Sequence, residues 1–291
     1  MLEERDAISS ATGTDRLKAD NGFLASESPS QAAFDYIARV ARAYAALVEQ
    51  PNVDANNGLG GKLFYVGELD DEARALIVAA NIAGAATIAA TADRDLQKQA
   101  LREGVVDFAV TTLDEALRIL KNQLRKRETV AVCVALPPAE MEHEMNERGV
   151  APDLVRSEIL FAPHHVSLFR GDEEDPHSKL SKIPAIVTWQ AGSSLPKDLA
   201  VLDEIALSCL DPDEWRSRRW LRLAPRYLGR MAQGLRLIES HREFSARLWE
   251  ELRKRTGRGE IHFSLEVRTY RRGAPDRFRY DPNEAPANKP S

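Results

Sequence analysis

The sequence predicts a doubly wound α/β fold, a parallel sheet with helices on both faces, followed by a mostly helical part and one closing strand. Three observations predict it. Short apolar runs alternate with amphipathic runs from Leu63 to about Leu160. The strand-like runs, such as KLFYVG, AATIAA and TVAVCVAL, are almost continuously apolar, which suits strands buried on both faces. The connections are short and carry helix-start and helix-stop residues.

The elements follow in order. Gln31 to Gln50 repeats apolar residues at helical spacing (Phe34, Ile37, Val40, Ala41, Tyr44, Leu47, Val48) and predicts a helix. A polar connector, PNVDANNGLGG, leads to a strand over Leu63–Val66 and a helix over Asp70–Gly84. Ala86–Ala90 predicts a strand and Arg94–Glu103 a helix closed by Gly104. Phe108–Val110 reads as a short strand, Leu113–Arg127 as a helix, and valine-rich Thr129–Leu136 as a strand. Ala139–Arg148 predicts a helix ended by Gly149, and Asp153–Leu160 a strand. Residues 161–182 read as a polar loop and Ile183–Gln190 as another strand. Pro196 to Thr256 has helical periodicity, broken at Asp211-Pro212, Pro225 and Gly234. Ile261, Phe263, Leu265 and Val267 alternate with polar residues and predict the closing strand. The expected organisation is a tail over 1–30, a helix and connector over 31–59, the α/β domain over 60–195, a helical extension over 196–272 and a disordered tail over 273–291.

Hydrophobic residues make up 43% and charged residues 29% of the 291, as in ordinary soluble domains. The longest apolar stretch, Ala75 to Ala90, is broken by Asn81, Gly84 and Thr87, so no membrane span is expected. The first thirty residues lack the apolar core of a signal peptide. Cys133 and Cys209 belong to no C-x-x-C pair and read as reduced core thiols of a cytoplasmic protein. The net charge of −5 is unevenly spread: residues 211–280 hold 18 Lys/Arg against 10 Asp/Glu, whereas residues 1–210 hold 21 against 33. The basic excess could attract nucleic acid, but no recognised module accompanies the arginines, so nucleic acid is not the expected partner.

The turn after the first expected strand carries the functional question. A phosphate-binding turn needs glycine for close backbone approach and free N–H groups at the helix start. Here the turn reads Gly67-Glu68-Leu69-Asp70-Asp71-Glu72, with one glycine and four carboxylates. Asp70 or Asp71 would cap the helix itself. A carboxylate about 5 Å from a phosphate opposes it by roughly 3 kcal/mol at an effective dielectric of 20. Several such groups outweigh a helix dipole contributing about 1 kcal/mol.

Gly60 to Val155 resembles the central NAD-binding domain of urocanase (urocanate hydratase). That family shows a strand, a G-L-G-G-M-G-G-A-Q turn and a helix ending M-A-G-A; this chain has Tyr65-Val66-Gly67, the altered turn, and Asn81-Ile82-Ala83-Gly84-Ala85. The family's D-D-L-D-E-A-L appears as Thr111-Thr112-Leu113-Asp114-Glu115-Ala116-Leu117, after a corner Gly104-Val105-Val106-Asp107. Its L-x-x-R-G-V-x-P-D-L-V appears as Met145 to Val155, and its D-P-E-aromatic-R helix start resembles Asp211 to Arg216.

The resemblance implies a Rossmann-like sheet, NAD as cofactor and hydro-lyase chemistry. The departures fall where the family holds NAD. The glycine-rich turn is acidic, the ribose-binding acid aligns with Thr91, and the Gly-Asn pair after the fourth strand aligns with Leu136-Pro137. No counterpart of the segment bearing the family's catalytic cysteine is found, so that role passes to neither Cys133 nor Cys209. Without NAD the family's chemistry has no electron sink.

The expectation is therefore a urocanase-like protein with no cofactor, acting as a non-catalytic ligand-binding or scaffold protein. An active hydro-lyase with altered cofactor or metal use is the alternative, with NAD as its cofactor. Crevice candidates at the strand ends are Gly67, Glu68, Thr91, Asp93 and Thr111, an acidic mouth suited to a small cationic ligand or protein partner. Metal candidates, against a reading of simple loop solvation, are His164, His165, Asp172 and His177, with Glu173, Glu174 and Asp175 beside them. Glu239 and His241, two apart on an expected helix, would not share a face. The Arg/Trp-rich stretch from Trp215 to Arg226 supplies a third reading, contact with nucleic acid or with a second copy in a homo-oligomer, through Trp215, Arg219 and Arg222.

Overall fold

The computed structural model describes residues 31–51, 53–160, 185–192, 195–240, 242–270 and 275–284. Its first half is built on a parallel sheet. The strands are β1 (Leu63–Glu68), β2 (Ala86–Ala90), β3 (Phe108–Val110), β4 (Ala131–Val134) and β5 (Leu154–Val155), in the order β3-β4-β2-β1-β5. Between them run α2 (Asp71–Ala83), α3 (Arg94–Glu103), α4 (Leu113–Lys126) and α5 (Pro138–Glu147), with α1 (Gln31–Val48) in front.

Why the strands read as unbroken apolar runs is now plain. Leu63, Tyr65, Ala86, Ile88 and Ala90 pack with α4 and α5 on one face. Phe64, Val66, Ala89 and Cys133 join α1, α2 and Ala100 of α3 on the other. Right-handed crossovers produce this division, since the chain first moves toward β3 and then returns past β1. The helix ends are chemically specified. Asp70, Asp93 and Thr112 cap α2, α3 and α4 with their side chains, and Gly84 and Gly104 close α2 and α3 in the left-handed region.

The second half differs from the sequence expectation. Ile183–Gln190 reads in the sequence as another strand within the 60–195 stretch. Its described part, β6 (Ala185–Ala191), is a central strand of a separate antiparallel sheet. That sheet has the order β7-β6-β8-β9, with β7 (Arg236–Ser240), β8 (Leu265–Tyr270) and β9 (Asp276–Tyr280). The stretch 196–256 is thus not helical throughout: α7 (Pro196–Ser208), α8 (Trp215–Leu228) and α9 (Arg242–Gly257) are interrupted by β7. Glu239 lies on that strand. The expected terminal tail contains β9, whose charged residues blunt an outer strand. Asp153–Leu160 yields only the two-residue β5 before turning into α6 (Arg156–Leu160).

The two halves share one core, which runs from α1 and α2 into α8, β6, β7 and α9. Arg219 of α8 joins them at the carboxyl end of α2. Its Nε donates to the Ile82 carbonyl at 2.7 Å and its Nη1 to that of Asn56 at 3.3 Å. Gly58 and Gly84 make room: a Cβ at Gly84 would stand 2.6 Å from the Asn57 oxygen and 2.7 Å from Arg219 Nη2.

Candidate functional site

The carboxyl end of a parallel sheet is where such folds present ligands. At this end of β1 the pairing with β2 shifts: Tyr65 faces Ile88, but Gly67 faces Ala89. One residue is extra, and Gly67 absorbs the distortion at φ +74°. The bulge has a chemical consequence. Side chains alternate along a strand, so an extra residue reverses which face the next one meets. Glu68 now pairs with Ala90, on the face of Tyr65 and α5.

Glu68 there lines a cleft of about 610 Å³, with walls from β1, α5 and the β5–α6 junction. Tyr65, Met145, Val150, Pro152 and Val155 supply apolar surface, while Glu68, Glu142, Asn146, Arg156 and Ser157 supply polar groups. The Tyr65 hydroxyl donates to Glu142 Oε1 at 3.2 Å. Burial, and then the Glu142 and Glu68 carboxylates, push the Tyr65 phenol well above its usual pKa, so it stays a protonated donor.

The start of α2 closes on itself. Asp70 Oδ1 accepts from the Ala73 N–H at 2.7 Å, and Asp70 Oδ2 accepts from Arg156 Nη1 at 2.9 Å. Leu69 is fully buried beneath them. A carboxylate therefore sits where a dinucleotide phosphate would meet the helix, and Arg156 serves as its counter-ion. Asp71 and Glu72 add further negative charge to the first turn. These residues do not fit a diphosphate, although the space over Gly67 is open, with nothing within 4 Å of a Cβ placed there.

The five crevice candidates separate. Gly67 and Glu68 line the cleft. Thr91 is buried: its hydroxyl accepts from the Asp93 N–H at 3.2 Å and its carbonyl from Gln97 Nε2 at 2.7 Å. Asp93 accepts from the N–H groups of Asp95 and Leu96 at the start of α3. Thr111 donates its N–H and hydroxyl to Glu115. The last three thus serve helix starts, not the cleft. Sequence reasoning passed over Tyr65, Glu142 and Arg156. Glu142 follows the buried Met141 on α5, a spacing that signals a residue beside the core face.

His164, His165, Asp172 and His177, with the acids beside them, lie outside the described residues, as does His241. Among the described residues no cluster of three or more His, Cys, Asp or Glu side chains is placed to hold a metal ion. Cys133 is buried mid-strand, and burial, reinforced by Glu68, pushes its thiol up to about 12. Cys209 is buried too, and neither cysteine is in a disulfide. Of the arginines in α8, Arg219 holds the α2 end, and Arg218 donates to the Leu207 and Leu210 carbonyls. Arg216, Arg222 and Arg226 are exposed. Trp220 is buried, donating to the Leu237 carbonyl at 2.6 Å. Among the described residues no helix is long and apolar enough to cross a membrane.

The sheet order, the helix caps and the segment from Gly60 to Val155 all lie within one comparison. Residues 40–164 match the family model for the urocanase Rossmann-like domain, beginning inside α1 and covering under half of the chain. The α/β half of this chain is therefore similar to the urocanase Rossmann-like domain.

Proposed function

We propose that this protein is a urocanase relative that has lost dinucleotide binding and hydratase chemistry, and that it works as a non-catalytic binding or scaffold protein. The observation that carries the proposal is the closed start of α2, where Asp70 takes the Ala73 N–H and pairs with Arg156. The acidic first turn, with Asp71 and Glu72, supports it further. The buried, protonated Cys133 is no nucleophile, which removes one route to a different enzyme. Two free buried thiols are consistent with a cytoplasmic setting.

Thermal unfolding with NAD⁺ tests the proposal. A ligand at 100 times its Kd stabilises by about 2.7 kcal/mol. For a chain of this size that is a rise of roughly 4–5 °C. The proposal expects no rise with NAD⁺ at about 1 mM, a hundredfold above a 10 µM Kd. A rise of that order would restore the reading of an active hydro-lyase.

A further inference from the structure

We propose that the cleft between β1, α5 and the start of α6 binds a small organic monocation, an amine held by the Glu68 and Glu142 carboxylates with its apolar body on Tyr65, Met145 and Val150. The inference rests on the reading above, because the cleft is free for such a ligand only if no dinucleotide crosses the sheet edge.

The volume of about 610 Å³ falls in the range of small-molecule sites, roughly 300–1,000 Å³. Its walls combine apolar surface with a few polar groups, the usual make-up of such sites. Charge then selects the ligand. The bulge at Gly67 turns Glu68 into the cleft, and Glu142 reaches it from α5. Glu142 accepts from the Tyr65 hydroxyl at 3.2 Å, and Glu68 lines the same cleft. Glu68 has no hydrogen-bond donor and no ion-pair partner among the described residues. The cation of the lining, Arg156, is already engaged by Asp70 at 2.9 Å. The cleft therefore carries uncompensated negative charge over an apolar floor, which suits an amine and opposes a carboxylate or a phosphate. The buried Tyr65 ring beneath the two acids offers a surface for an ammonium or an aromatic body.

The probe is phenethylamine, with phenylacetate and 2-phenylethanol as anionic and neutral counterparts, followed by ligand-observed NMR and calorimetry. The expected result is saturable one-to-one binding of the amine, weaker binding of the alcohol and none of the acid. The double variant Glu68→Gln with Glu142→Gln should weaken the amine about tenfold, in keeping with two partly exposed charge contacts. Asn146→Trp, at an exposed position of the lining, should block binding without touching either acid. Absence of saturable amine binding, equal binding of phenylacetate, or undiminished amine affinity in the double variant overturns the inference. NAD⁺ titrated in the same series separates the two claims. If neither NAD⁺ nor the amine binds, only the amine site is wrong; if NAD⁺ binds, the loss of dinucleotide binding is wrong.

Discussion

Replacing Arg219 by methionine tests how the two halves are joined. The substitution keeps an apolar stem and removes the guanidinium. It deletes the 2.7 Å bond to the Ile82 carbonyl and the longer 3.3 Å bond to Asn56. Hydrogen bonds from a charged donor contribute about 1.5–3 kcal/mol each, with the longer one at the low end. Because Arg219 is half-buried, solvent recovers part of that loss. The expected destabilisation is roughly 2–4 kcal/mol, a large fraction of the 5–15 kcal/mol that holds a typical protein folded. Guanidinium unfolding followed by tryptophan fluorescence reads it, since buried Trp220 lies next to Arg219 in the same helix. Arg222→Met, exposed on the same helix, is the control and should stay within about 0.5 kcal/mol of wild type. Equal effects of the two substitutions would refute the clasp and return Arg219 to the surface-contact reading.

Other outcomes follow from the same geometry. Gly84→Ala should cost at least about 1 kcal/mol in unfolding free energy, because φ is +104° and the new methyl meets the Asn57 oxygen. Asp70→Ala should lower stability by about 1–2 kcal/mol through the lost cap and ion pair, read by denaturant titration. Cys133 should resist alkylation by iodoacetamide in the native state at pH 8 and react on unfolding, measured by mass spectrometry. Glu239 gives a pH-dependent case. Burial, with Glu49 nearby, raises its carboxyl above the ordinary value, against the pull of Arg42. The folded protein thus holds that proton more tightly than the unfolded chain. Its contribution is fully present below the unfolded pKa of about 4.3 and is lost as pH rises through the folded value. Glu239→Gln should therefore raise the melting temperature at pH 7 and leave it nearly unchanged at pH 4.

The parallel sheet was legible because its signals are local. Each strand is apolar on both faces, and the ends of α2 to α4 are marked by residues such as Asp70, Gly84, Asp93, Gly104 and Thr112. The antiparallel sheet was not, because its strands depend on partners far along the chain. β7 is five residues, RLIES, embedded between helices, and only its pairing with β6 makes it a strand. β9 reads DRFRY, charged enough to pass for a tail, yet it pairs with β8 throughout. The site divided in the same way. The acidic turn could be read directly from Gly67 to Glu72. The direction of Glu68 could not, since it depends on a pairing shift at Gly67. Nor could the partner of Asp70, because Arg156 lies 86 residues away.

Calorimetric titration of NAD⁺ into the full chain tests the central claim most directly. With Asp70 seated on the first turn of α2 and matched by Arg156, no saturable heat should appear up to millimolar coenzyme. One-to-one binding with a micromolar Kd, altered by substitution of Asp70, would contradict the account.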